Sequence, residues 1–319
     1  MQKEFQVVFY EDWMKMQVID MTCNHYGYKK EDYIKKFTNF YENEFQKDAI
    51  KVVVLEGKKV TGFMGFSYYP YQLNGQSIRS FQAGNVIVHP DYRGKGIFFK
   101  MVTLLNEKYK EKNIDLLLGF PVTAAYNTYI RNGWENLFNL QWFIKINFLL
   151  SPLFPINLHK LSSKFSEPKR TNLKNYTNQL YLNDSNDFVE WRKQFMRDKI
   201  YYYSYEDNKN VVQFGFKLNI RKKIIRELII GEISTSLYEE GLLITAFKDF
   251  LKKFKSIYFI SIISIAINTE DHILLNTIKK MGFRIIDKKI FFVTKNFTSN
   301  TELQNKSNWS PLRGDLDTW

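Results

Sequence analysis

Residues 82–99 read QAGNVIVHPDYRGKGIFF, and this stretch decides the fold. It opens as a strand, because Val86, Ile87 and Val88 are β-branched and apolar. His89-Pro90-Asp91 ends that strand: proline has no N–H to give to a ladder and biases its neighbours toward a turn. Arg93-Gly94-Lys95-Gly96 comes next. Two glycines two apart let the backbone approach a ligand closely and turn several N–H groups to one side. From Ile97 to Lys110 the apolar residues Phe98, Met101, Val102 and Leu105 fall at helical spacing. Strand, glycine loop and helix start together form an anion site, since the first helical N–H groups lack partners and the dipole is positive there. Arg93 and Lys95 add charge. Taken alone, the loop also reads as a surface turn with two tolerated glycines.

Upstream, Phe5–Phe9 reads as a short strand, and Glu11 and Asp12 open a helical run from Trp13 to Cys23. A second helix is expected from near Glu31, with Ile34, Phe37, Tyr41 and Phe45 along it. Lys51–Leu55 and Val60–Tyr68 read as strands joined at Glu56-Gly57-Lys58-Lys59. Asn74-Gly75 is the preferred pair for a type I′ turn and is expected to fold Gln76–Val88 back on the preceding strand. Gly84 interrupts the apolar pattern of that strand, which marks a bulge or a packing contact. Downstream, Asp115–Phe120 reads as a buried strand ended by Pro121. Thr123 is the expected N-cap of a helix over 124–132, Gly133 stops it, and Trp134–Phe148 supplies a closing strand.

V-x-P-x-x-R-G-x-G, which is Val88 to Gly96 here, resembles the acetyl-CoA motif of the GNAT superfamily of acyl-CoA N-acyltransferases. The resemblance implies an α/β fold with a mixed sheet. It also implies a pyrophosphate cradle at Arg93, Gly94, Lys95, Gly96, Ile97 and Phe98, with pantetheine running along Val86, Ile87 and Val88. A bulge at Gly84 would splay the strand and leave the slot. The family usually has a small residue where Phe98 stands. P-x-x-x-A-x-x-x-Y-x-x-x-G-W, from Pro121 to Trp134, resembles the second GNAT signature, which implies Tyr129 as the acid that protonates the leaving thiolate. Tyr126, one turn away, is the substitute; a core aromatic is the plainer reading of Tyr129. Where the family often has asparagine seven residues before the tyrosine, this chain has Val122.

The second half repeats the order more faintly. A helix at Phe188–Met196 precedes strands at 201–205, 211–219 and 224–233. A helix at 242–254, a buried strand at 257–267, a helix at 271–280 and a closing strand at 284–293 follow. Its ending, IAINTEDH and then Gly282-Phe283, looks like a degenerate GNAT ending, with Ile278 in the slot of Tyr129 and no glycine cradle. The expected organisation is a catalytic domain over 1–150, a linker over 151–178, a degenerate GNAT-like domain over 179–298 and a tail over 299–319. Trp309 and Trp319 argue that the tail docks, and Asp315, Asp317 and the Trp319 carboxylate are candidate bases.

Composition sets outer bounds. A chain of 319 residues, 45% hydrophobic and 17% aromatic, holds enough apolar mass for two cores. Its single cysteine, Cys23, excludes an intrachain disulfide framework and fits a reducing, cytoplasmic setting. No early apolar run reads as a signal peptide, and no stretch reads as a membrane span. Net charge is +13, but the lysines are scattered, which favours a solvated basic surface over a nucleic-acid face. No histidine or cysteine spacing suggests a metal. The resemblance implies acetyl-CoA as cosubstrate and a primary amine as acceptor, with amino sugars and cell-envelope precursors among the candidates. An aminoacyl transferase acting on peptidoglycan precursors and a non-catalytic CoA-binding scaffold are the alternatives.

Overall fold

The structure, a computed structural model, describes residues 4–147, 165, 180–183, 185–194, 200–207, 209–222, 224–255 and 260–316. In chain order the elements are β1 (Phe5–Phe9), α1 (Lys15–Tyr26), α2 (Lys30–Tyr41), β2 (Ile50–Glu56), β3 (Lys59–Tyr68), β4 (Tyr71–Leu73), β5 (Gln76–Ile78), β6 (Ser80–Val88), α3 (Ile97–Lys108), β7 (Leu116–Gly119), α4 (Thr123–Arg131) and β8 (Glu135–Ile146). They continue with β9 (Leu180–Leu182), α5 (Asn186–Lys193), β10 (Tyr201–Glu206), β11 (Val211–Arg221), β12 (Ile225–Thr235), α6 (Glu240–Lys255), β13 (Ile262–Asn268), α7 (His272–Lys280) and β14 (Arg284–Asn296).

The chain divides into two units, each assembled from separate segments. The first comprises residues 1–137, 182–196 and 291–304. Its strands run β1-β2-β3-β6-β7. All pair antiparallel except β6 and β7, which are parallel. The α3 side chains Ile97, Met101, Val102 and Leu105 recur every three or four residues, so they fall on one stripe and bury against Val52, Val54, Met64, Phe66, Phe81 and Leu117. Each such fully buried side chain contributes on the order of 1.5–3 kcal/mol. Strand alternation turns Phe63 to the opposite face, where Phe37 and Tyr41 of α2 meet it at ring separations of 5.9 Å.

The second unit comprises residues 138–181, 197–290 and 305–319. Its strands run β8-β13-β12-β11-β10, with β12 and β13 parallel and the other pairs antiparallel. Leu243, Phe247 and Phe250 of α6 and Leu274 and Ile278 of α7 pack on Phe214, Phe216, Leu228, Ile230, Ile263 and Ile265. Hairpin strands, a helix, a parallel strand and a second helix thus recur in the order of the first unit.

Several expectations need correction. Asn74 and Gly75 have the positive φ of a type I′ turn, 52° and 77°, but they join only β4 and β5. The strand that returns along β3 begins at Ser80. The N-cap of α4 is Val122, not Thr123, and it makes no side-chain cap. The strand expected to close the first half does not do so: residues 140–146 of β8 pair with β13. Residues 293–296 of β14 take that place beside β7 instead. Helix α5, expected in the second half, belongs to the first unit. Its Trp191 packs on Phe40, Phe45 and Tyr69 at 5.4–5.7 Å between rings. The compact units therefore differ from contiguous blocks at 1–150 and 179–298, because strand pairing between distant segments, not chain proximity, groups them. The expected linker at 151–178 lies outside the described residues except for Phe165, which is buried in the second unit's core. No helix among the described residues is long and apolar enough to cross a membrane.

Candidate active site

The glycine loop is built as its sequence requires. Gly94 and Gly96 both have left-handed φ, +76° and +72°, and a Cβ added at either would meet no atom within 4 Å. The space beside both α carbons is therefore open. The first helical bond of α3 runs from the Lys100 N–H to the Gly96 carbonyl at 3.0 Å. The amides of residues 97–99 precede it and have no acceptor within the helix, as at any helix start. These amides and the dipole favour an anion.

The turn before the loop is fixed from below. Buried Tyr92 donates its hydroxyl to Glu56 Oε2 at 2.5 Å. Arg93 donates to the Val88 carbonyl at 3.3 Å and meets His25 Nδ1 at 3.1 Å, so Nδ1 is the acceptor there. Lys95 donates to the Asp91 carbonyl at 2.9 Å and lies 4.9 Å from the Tyr92 ring centre. Both cations are thus held at the loop. Tyr26, next to His25, has its phenol pushed up by burial, against the pull of Arg93.

The slot is assigned to the edge of β6 that runs beyond the end of β7 at Gly119. The two pair only at Ser80↔Leu116, Phe81↔Leu117 and Gln82↔Leu118. Beyond that point β6 runs on to Val88. On its other edge the register with β3 jumps from Met64↔Val86 to Phe66↔Ala83, which leaves an extra residue at Gly84-Asn85. A bulge bends and twists its strand, and here it coincides with the end of the parallel ladder. The His89 N–H donates to the Thr61 carbonyl. Successive amides alternate between the strand's two edges, so those of Val86 and Val88 face away from β3, toward the slot.

The family model for the GNAT acetyltransferase domain matches residues 10–137. Residues 10–137 are a GNAT acetyltransferase domain. Solved structures show the same fold. A GCN5-related N-acetyltransferase from Anabaena variabilis superposes with a TM-score of 0.63 at 15% identity, covering 92% of this chain and 73% of that one. One from Kribbella flavida gives 0.58 at 13% identity, covering 92% and 71%. Saccharomyces cerevisiae N-myristoyltransferase, solved with bound myristoyl-CoA, gives 0.52 at 12% identity, covering 94% and 84%. No curated protein sequence matches the chain.

In this GNAT domain the two candidate tyrosines separate clearly. Tyr129 is 3% exposed and stands edge-on to Phe98 at 5.1 Å and against Trp134 at 4.6 Å. Phe98, larger than the family's usual residue, leaves the cradle backbone intact and instead forms one wall around Tyr129. The end of α4 fixes Tyr129 further: Gly133 is left-handed at φ +74°, and the Trp134 N–H returns to the Tyr129 carbonyl at 3.2 Å. Asn132 ties the two helices, accepting from Thr103 at 3.1 Å and, through its carbonyl, from Asn106 at 2.8 Å. Tyr126 turns elsewhere and stacks on Phe291 at 4.3 Å. Tyr129 is thus brought to the first turn of α3, and Tyr126 is not.

Tyr41 was not anticipated as a site residue. Its hydroxyl accepts from Asn85 Nδ2 at 3.3 Å, directly at the bulge. The signal was Gly65 within β3: a Cβ there would lie 2.5 Å from Tyr41 Cζ. Asp315 belongs to the second unit, where Oδ2 accepts the Leu312 N–H at 2.8 Å. Asp317 and Trp319 lie outside the described residues.

The second unit keeps the frame without the cradle. Gly282 is left-handed at φ +80°, and the Phe283 N–H returns to the Ile278 carbonyl at 3.0 Å, so buried Ile278 stands where Tyr129 does. Residues 236–239, between β12 and α6, contain no glycine.

Proposed function

We propose that the chain transfers an acetyl group from acetyl-CoA to a primary amine of a small acceptor. The observation that carries this reading is the coincidence of two features: a left-handed double-glycine cradle opening α3, and the bulged run of β6 beyond the end of β7 beside it. The donor set fits the ligand. Amides of residues 97–99 with Arg93 and Lys95 suit a pyrophosphate. The slot-facing edge of β6 at Val86 and Val88 suits the two amides of a pantetheine arm lying as an added strand. Ile87, buried beneath, holds that edge in place.

Acetyl-CoA supplies an activated thioester carbonyl. An N–H on the slot edge of β6 polarises the carbonyl oxygen, and a preorganised donor of this kind is worth about 10²–10³ in rate. The neutral amine forms the new C–N bond as the C–S bond breaks, and its surplus proton leaves to water. Tyr129 gives its phenolic proton to the departing thiolate and regains one from solvent. A phenol with a reference pKa of about 10 and a thiol of about 8.5 are close enough for that exchange. The test is incubation with acetyl-CoA and a panel of amino sugars, polyamines and peptides, reading free thiol. Saturable release with one class supports the reading. Tight CoA binding with no release above the amine-free rate for any member would overturn it.

A further inference from the structure

The second unit parts two of its strands. β12 and β13 pair from Glu227↔Ile262 to Ile230↔Ile265, and the ladder stops there although β12 continues to Thr235. At that point β12 carries an extra residue against β11: Phe216 faces Ile230, the next pair is Gly215↔Glu232, and Gly231 is unopposed. A bulge beside a broken parallel ladder is the arrangement found at Gly84-Asn85. Here the chain's own tail lies against it.

A short turn over Arg313–Asp315 packs against β12 and β13. A Cβ on Gly314 would stand 2.5 Å from the Gly231 carbonyl and would collide with Glu232 Cγ, so the tail backbone touches the bulge itself. Leu312 joins the apolar cluster that contains Leu228, Ile230, Ile263 and Ile265. Trp309 is fully buried and forms a parallel bridge with Leu180. Recognition is also polar. Asn268, 1% exposed, donates Nδ2 to the carbonyls of Lys306 at 2.9 Å and Trp309 at 2.8 Å. Asp271, 5% exposed, caps α7 and accepts from the Ser310 hydroxyl at 2.7 Å and from Tyr238. Asn268 and Asp271 belong to the IAINTEDH stretch, which the first unit's chemistry leaves unexplained.

We infer that the parted strands of the second unit are a peptide-binding site whose resident occupant is the chain's own segment 305–316. The site takes a short peptide, turned at 306–308 and 313–315, through two backbone carbonyls read by one buried amide, two apolar anchors at Trp309 and Leu312, and a glycine that permits contact with the bulge. Main-chain recognition with side-chain pockets is an established way to bind peptides. A tethered occupant is held by effective concentration, so it is exchangeable in principle. The site depends on nothing assigned to the first unit.

The test uses the full chain and a fluorescent synthetic peptide of residues 305–316. In Gly314→Val the intruding side chain expels the tail, which trypsin then cuts at Lys306 and Arg313. This chain binds the wild-type peptide saturably, at least about tenfold more tightly than it binds the same peptide carrying Gly314→Val. Adding Asn268→Ala to the chain weakens binding by a similar factor. A tail that stays trypsin-resistant in Gly314→Val, or one that is released while the folded chain ignores the peptide, overturns the inference. Should Gly314→Val fail to fold, hydrogen exchange on the wild type decides. Excess wild-type peptide accelerates exchange at residues 309–316 and the Gly314→Val peptide does not; equal exchange with both overturns it.

Discussion

Replacing Gly96 by aspartate separates the cradle's work from the fold's. Gly96 has φ +72° and the hairpin residue Gly75 has φ +77°, and an added Cβ meets nothing within 4 Å at either. A non-glycine residue in that left-handed region costs roughly 1–2 kcal/mol. Gly96→Ala, Gly96→Asp and Gly75→Ala therefore lose similar stability, about 2–4 °C of Tm per kcal/mol for a unit of this size. Only position 96 faces the proposed pyrophosphate. A carboxylate about 4 Å from one phosphate charge is opposed by about 1 kcal/mol in bulk water and about 4 kcal/mol at the effective dielectric near a protein surface. At 1.4 kcal/mol per factor of ten, the expected loss in CoA affinity lies between about 5-fold and about 1,000-fold. Aspartate falls near the upper limit because the pyrophosphate carries more than one charge. Gly96→Ala loses less and Gly75→Ala nothing. Titration calorimetry with CoA gives the affinities and differential scanning calorimetry gives the three Tm values. Gly96→Asp binding CoA within about twofold of wild type, with the three Tm shifts equal, would refute the assignment of the loop to phosphate.

The wild-type chain binds one CoA, because residues 236–239 provide no cradle in the second unit; a calorimetric stoichiometry of two would contradict this. Tyr129→Phe keeps the packing against Phe98 and Trp134, so CoA affinity and Tm hold while kcat falls by about 10²–10⁴. Tyr126→Phe changes kcat little, and equal kcat values for the two variants would remove Tyr129 as the acid. Burial raises the Tyr33 phenol from 10 to about 12. Between those values the unfolded chain ionises first, so the contribution present below the unfolded pKa is lost as pH rises through the window. The loss is on the order of 1–2 kcal/mol from about pH 9 to about pH 11. Tyr33→Phe makes the alkaline fall in urea midpoint shallower, and an unchanged slope would show that Tyr33 does not titrate late.

What the sequence disclosed was local chemistry. Val86–Val88, the Pro90 break, Gly94 and Gly96 and the amphipathic run from Ile97 each depend on neighbours within a few residues, and all appear where the pattern puts them. The Gly133 stop and the position of Tyr129 are of the same kind. Pairing over long distances was not legible. Leu116–Leu118 announces a buried strand, but nothing in those residues says whether 135–146 or 293–296 will lie beside it, since both segments are extended and half apolar. Trp191 reads as an apolar helical residue in either unit, and only its contacts with Phe40 and Tyr69 assign it to the first. Tyr41 at the bulge was hidden because its pointer, Gly65, is one glycine in a strand and takes its meaning from a ring on another element. Trp309 signalled docking, and it is buried; that Gly314 would rest on Gly231 depended on an unopposed residue of β12, which register alone creates.

The pairing of β7 with residues 293–296 has a temporal consequence. The ribosome releases the cradle, the slot and Tyr129 well before it makes residues 293–296, the strand segment that pairs with β7. At about 5–20 residues per second, the interval between residues 137 and 296 lasts roughly 10–30 s. Throughout it a fully apolar strand presents one unpaired edge, the kind of template that recruits neighbouring nascent chains. The GNAT domain's own segment is thus made well before its sheet can be completed, and a chain that stops before residue 293 ends with that edge still bare.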